Sequence, residues 1–176
     1  MPPVLPQRLR ALTLWPEWAW AIHHLDKRVE NRTWALPVGE WFALHAGKSP
    51  GGKPTLEAAC DADVAIRLMA QSAGWEVSTT PGNIRTSRVT FRRMGRRSVD
   101  WNVLDTPTSA IVGLFRVVRA EPPQTGDLGG WRVGAQVGNV FEYAPLAASI
   151  PCGGAQGLWT VPAEVVERVR AEVSHG

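Results

Sequence analysis

The feature that most constrains this chain is how short its apolar runs are. The stretches able to form strands are five to nine residues long, and most stop at or near a Gly or Pro, of which the sequence holds 17 and 14. Arg10–Trp15, Arg28–Trp34, Glu40–Ala46, Ala110–Val118, Val140–Leu146 and Gly157–Val161 all read this way, the β-branched run at 110–118 as a buried strand. Three helical segments stand between and after them. Short strands with so few helices build a small mixed barrel, an α+β fold, rather than a doubly wound sheet.

The first helix starts at Pro16, whose missing N–H costs nothing at that position, and carries Trp18, Ile22 and Leu25 on one face. The second spans Thr55–Ala73, with Leu56, Cys60, Val64 and Leu68 four residues apart and Gly74 as a stop. The third starts near Pro162, with Val165, Val166, Val169 and Val173 on one side. Ile84–Val103 reads as a hairpin or long loop turning near Met94 and Gly95, and the five glycines within 126–138 mark a loop.

A chain of 176 residues is long enough for one domain with a real core, and 44% hydrophobic residues argue against disorder. No stretch approaches the roughly 18 apolar residues of a membrane span, and the start, MPPVLPQRLRALTLW, lacks the apolar region of a secretory signal. Two cysteines, Cys60 and Cys152, make no disulfide scaffold, so a soluble cytoplasmic protein is expected. Net charge is only +3, yet Arg85, Arg88, Arg92, Arg93, Arg96 and Arg97 crowd a segment with no acidic residue between Glu76 and Asp100. Such a stripe suits a polyanion or, failing one, a solvated surface hairpin.

Gly47-x4-Gly52-Lys53 comes within one residue of a phosphate-cradling loop between strand and helix. Pro54 stands where a Ser or Thr would hold magnesium, and Pro50 removes a further N–H. A glycine-rich turn is expected there, with Lys48 and Lys53 beside a helix N-terminus as phosphate contacts, and no nucleoside triphosphate binding.

A more specific pattern lies in LTLWPEWAWAIHHLDKRVENRTW and the following GEWFALHAGK. Leu25, Lys27, Glu30 and Arg32, then His45, Ala46, Gly47 and Lys48, resemble the signature of the ASCH domain, a member of the PUA-like superfamily. Leu25 stands where that signature has glycine. SAIVGLFRV (109–117) and IPCGGAQGLWTVP (150–162) are similar to the family's central and closing strands. The resemblance leaves out an insertion at about 49–106. It implies a single PUA-like domain over 1–176: a small β-barrel with flanking helices, here with an inserted helix and basic hairpin. It also implies a cleft beside the Lys-Glu-Arg strand and work on nucleic acid, RNA favoured over DNA. Some relatives are amidohydrolases of N4-acetylcytidine, with the Lys position catalytic and a Thr where this chain has Glu30; others have been proposed to be ribonucleases.

The residues make sense as a polar cleft in their own right. On a strand, Arg28, Glu30 and Arg32 share one face, with Val29, Asn31 and Thr33 on the other. Glu30 would then fix a guanidinium for bidentate recognition, or all three would form a surface network with no ligand. Trp15, Trp18, Trp34 and Trp159 are candidate stacking platforms, although each taken singly fits core packing better because tryptophan buries a large area, and Gln156 offers an amide to a base edge. Adjacent His23 and His24 point in different directions on a helix and lack a third ligand nearby, so no metal is expected, and no cofactor motif stands out.

Two function classes follow. One is a binding module for RNA or a modified or single-stranded nucleotide, using Trp15, Trp18, Lys27, Glu30, Asn31, Arg32, His45, Lys48, Lys53, Gln156 and Trp159, with Arg88, Arg92, Arg93 and Arg96 gripping the backbone. The other is a hydrolase of acylcytidine or RNA with Lys27, Glu30 and His45 as its acid–base set. A protein-interaction module is the third, blander option.

Overall fold

The structure, a computed structural model, describes residues 3–49, 56–83, 85–125 and 130–175. In chain order the elements are β1 (Arg10–Leu14), α1 (Pro16–His24), β2 (Val29–Arg32), β3 (Trp41–Ala46), α2 (Leu56–Ser72), β4 (Glu76–Thr80), β5 (Arg88–Arg92), β6 (Val99–Trp101), β7 (Ala110–Glu121), β8 (Val137–Pro151), β9 (Leu158–Thr160) and α3 (Ala163–His175). They form an α+β fold with a curled, half-barrel sheet in the order β2-β8-β7-β3-β1-β9 and a second sheet β4-β5-β6. Among the described residues only β1 and β3 run parallel; the other neighbours are antiparallel. Among the described residues no helix is long and apolar enough to cross a membrane.

The large sheet is covered on both faces, which is why its central strands read as unbroken apolar runs. Leu12, Leu14, Phe42 and Leu44 meet Ala19 and Ile22 of α1 on one side. Their strand neighbours Ala11 and Ala43 meet Val165, Val166 and Val169 of α3 on the other. In β7, Ile111 and Leu114 share a face although three residues apart, because a register shift between Ile111 and Gly113 resets the alternation. A third cluster joins α1 to the insertion: Trp20, Ala21 and Leu25 pack with Ile66 and Ala70 of α2, Val89 and Phe91 of β5, Trp101 and Trp131. The insertion therefore shares its core with α1.

Several expectations need correction. The described part of the α2 stripe at four-residue spacing faces outward: Cys60 is exposed, and Val64 and Leu68 are 47% and 61% exposed. Ala62, Ile66 and Ala70 are buried instead, since small alanines let α2 lie close to α1 and the second sheet. The basic hairpin is β5–β6, and β4, which sequence patterning missed, pairs with its outer side. β8 starts at Val137, inside the expected glycine loop, and runs to Pro151; its turn-like early residues Gly138 and Asn139 are buried but not apolar, and its C-terminal end and the tail of β7 are mostly exposed or half-exposed, so they carry little apolar signal. Arg28 lies outside β2, which begins at Val29.

Candidate functional site

The helix α1 ends in a way that sets the site. Asp26 adopts a left-handed backbone (φ 53), and the Lys27 N–H donates back to the Ala21 carbonyl at 3.3 Å. A non-glycine residue there is uncommon, though Asp is among the more tolerant. Leu25, with φ −112, needs no glycine at its position. The reversal turns Lys27 inward, where it is 3% exposed.

Its ammonium donates to the Val29 carbonyl at 2.5 Å and to Glu30 Oε2 at 3.0 Å, and lies 5.9 Å from the centre of the Trp18 ring. Glu30 Oε1 pairs with Arg32 Nε at 3.0 Å, and Arg32 Nη2 donates to the Thr13 carbonyl at 3.2 Å. Glu30 is thus clamped by Lys27 and Arg32, whereas strand alternation had placed it between Arg28 and Arg32. Arg28 turns away because it precedes β2: it donates to the Ile22 and Lys27 carbonyls, and its guanidinium stacks over Tyr143 at 5.3 Å.

Lys27 and Glu30 line a cleft of about 300 Å³ together with Trp18, Asn31, Ala65, Met69, Val133 and Gln136. One wall is an indole, another the Ala65–Met69 face of α2. Asn31 braces the 130–136 segment, donating to the Trp131 carbonyl at 2.8 Å and accepting from the Val133 N–H at 2.9 Å. Fully buried Asn139 does the same for β2 and the turn after it, accepting from the Leu36 N–H and donating to the Glu30 and Trp34 carbonyls. Sequence reasoning missed Ala65, Met69, Val133, Gln136 and Asn139. The first two sit on an amphipathic helix with apolar residues on several sides, Val133 and Gln136 on a segment that reads as a loop, and Asn139 between that loop and the expected strand.

Other expected site residues go elsewhere. His45 is 2% exposed, with both ring nitrogens engaged. Nε2 meets the Cys152 carbonyl at 2.9 Å and so carries the hydrogen, leaving Nδ1 to accept from the Thr13 hydroxyl at 3.2 Å. That hydroxyl accepts in turn from the Trp159 indole N–H at 3.0 Å. Gly154 lies against the imidazole so closely that a Cβ would overlap it. Burial holds the His45 pKa below its ordinary value. With no free nitrogen and no place on the cleft wall, His45 is a structural tie between β3 and the segment before β9, and Trp159 belongs to it. Trp15, at the start of α1, and Trp34, Lys48 and Gln156 are exposed and are not among the residues lining the cleft. Lys53 lies outside the described residues. Gly47 closes the end of β3 by donating to the Leu14 carbonyl at 2.8 Å.

The arginine stripe is less free of acids in three dimensions than along the chain. Antiparallel register sets Glu76 opposite Arg92 and Asp100 opposite Thr90. Arg88 donates to the Arg85 and Ser87 carbonyls, Arg93 lies 5.9 Å from the Trp75 ring, and Arg96 pairs with Asp26 at 2.7 Å. Arg92, Arg93, Arg96 and Arg97 nevertheless remain exposed. His23 and His24 stack on each other, His24 also on Trp20, and His23 Nδ1 meets the Tyr143 hydroxyl at 3.0 Å.

No protein-family model matches the chain, and a search of curated proteins finds no match.

Proposed function

We propose that the protein is a nucleic-acid-binding module that holds one base of RNA, or a modified or single-stranded nucleotide, in the cleft. The observation that carries this reading is the wall pairing: the Trp18 ring and the Ala65–Met69 face flank a floor made of the Lys27–Glu30 ion pair. A flat heterocycle gains stacking energy from an indole whatever its identity. It gains orientation from a neighbouring cation and carboxylate, which offer a donor and acceptors side by side. Gln136 adds an amide at the cleft. The resemblance to ASCH and PUA-like domains supports the same ligand class, and the exposed arginines of the 92–97 turn supply charge for a phosphate backbone.

The contact between Lys27 and Glu30 within the cleft favours, as a second reading, hydrolysis of an acylated pyrimidine or of RNA. Binding is preferred because both Glu30 oxygens already serve cations and His45 has no free nitrogen. Calorimetric titration with single-stranded RNA and with the four ribonucleosides tests the choice. Binding that Trp18→Leu weakens about tenfold, with no product from acylcytidines or RNA, supports the module. Product formation that Lys27→Ala or Glu30→Ala abolishes would establish the hydrolase instead.

A further inference from the structure

Immediately beside Lys27, two guanidinium groups from separate parts of the chain converge on one carboxylate. Arg96, from the turn between β5 and β6, reaches Asp26 Oδ2 at 2.7 Å, and Arg28 approaches Asp26 Oδ1 at 3.6 Å. Arg28 is held in place by the Ile22 and Lys27 carbonyls and by the Tyr143 ring, so its outward nitrogen is a fixed donor. Arg96 is 59% exposed and, among the described residues, spends its side chain on Asp26 alone. Arg93 and Arg97 stand exposed on the same turn, leaving local positive charge in excess.

We infer that Arg28 and Arg96 form a phosphate subsite in which Asp26 is the resident anion that an incoming phosphate displaces. Asp26 sets one oxygen against each guanidinium, close to Arg96 at 2.7 Å and at the longer ion-pair distance of 3.6 Å from Arg28. A phosphate monoester has three oxygens and about twice a carboxylate's charge, and guanidinium forks match its geometry. A phosphate monoester can therefore replace the carboxylate on both guanidinium groups, while the tethered Asp26 competes with it. Asp26 and Arg28 flank the cleft residue Lys27 in the chain but line no part of the cleft themselves, so the subsite would take a phosphate carried outside it by the nucleotide whose base fills it. That link rests on the cleft reading; the anion site itself does not.

Asp26→Asn is the informative variant, because Asn tolerates a left-handed backbone while removing the competing charge. Two measurements keep the subsite and the cleft separable. In the first, inorganic phosphate is titrated while the Arg Nε–H resonances are followed by NMR. Arg28 and Arg96 are expected to shift together and saturably, more readily in Asp26→Asn, while Arg116, paired with Glu142 on the large sheet, stays put. In the second, affinities for each ribonucleoside are compared with those for its 5′- and 3′-monophosphates and for a dinucleoside monophosphate. The phosphate gain is expected to rise about tenfold in Asp26→Asn, the scale of one charge-assisted hydrogen bond, and to vanish in Arg96→Ala. A gain confined to the monophosphates marks a terminal phosphate, and one shared by the dinucleoside marks an internal one. Phosphate shifts without nucleoside binding would leave the subsite standing and remove the cleft reading. Nucleoside binding with no phosphate gain in any variant, and no selective shift at Arg28 and Arg96, overturns the subsite alone.

Discussion

Lys27 and Glu30 give the sharpest stability test, because replacing each partner strands a different charge. Glu30→Gln leaves a Lys27 ammonium that is 3% exposed with the Val29 carbonyl, the Trp18 ring and a neutral amide as partners. Breaking a buried pair by neutralising one side costs about 3–5 kcal/mol, and the retained contacts put this case near 3. Lys27→Met instead leaves Glu30 with Arg32 at 3.0 Å, and Arg32 reaches solvent, so the loss falls near 1 kcal/mol. At about 2–4 °C of melting temperature per kcal/mol for a chain of this size, the two variants separate by several degrees in a thermal melt followed by circular dichroism. The double variant Lys27→Met/Glu30→Gln removes the stranded ammonium and should melt above Glu30→Gln alone. Equal losses for the two single variants, or a double variant at their sum, would refute the buried, coupled pair.

Other expectations follow from the same geometry. Gly113→Ala sets a methyl into the Tyr143 ring, which His23 and the Val112 carbonyl hold in place, and should destabilise the fold by about 1–3 kcal/mol in denaturant titration. His23 and His24 keep an exposed ring edge, yet partial desolvation, and then the neighbouring His23, lower the His24 pKa to about 4; desolvation first also lowers that of His23, and burial that of His45. The folded state thus binds fewer protons than the unfolded one, so stability is full above about pH 6.5 and falls as pH drops towards 4. His24→Gln should flatten the fall in melting temperature between pH 7.5 and 5 by the equivalent of about 1 kcal/mol, the open edge of the ring having been allowed for. Arg92→Ala/Arg93→Ala should lower the salt slope of RNA binding by about two with little change in sequence preference, whereas an unchanged slope assigns both arginines to solvent.

Much of the fold was legible wherever one face of an element is buried. Pro16 opens α1, the 110–118 run lies within β7, and Val165, Val166 and Val169 mark the packed side of α3. What escaped was information carried by pairing. β4 is largely exposed and reads as polar, yet it completes the second sheet and brings Glu76 to Arg92. The outward stripe of α2 has the same spacing as a buried one, so periodicity alone could not tell which side packs. At the site, Lys27 and Glu30 were visible as charged neighbours three residues apart. The cleft's far wall was not, because Met69 and Gln136 reach it only through the packing of α2 and the 130–136 segment. His45 was visible for its chemistry, but its role as a tie depends on Thr13 and the Cys152 carbonyl, 32 and 107 residues away.

If a base lies between Trp18 and Met69, the methionines offer a direct view of it. The sequence has three, Met1, Met69 and Met94; Met69 lines the cleft and Met94 is fully exposed on the basic turn. With methyl-¹³C methionine, single-stranded RNA and the ribonucleosides are titrated while the three methyl resonances are followed. A base stacked in the cleft should move the Met69 methyl upfield and saturably through its ring current, leave Met94 unmoved by nucleosides, and lose the effect in Trp18→Leu. A Met69 resonance that stays fixed through saturating RNA and every nucleoside would contradict the account.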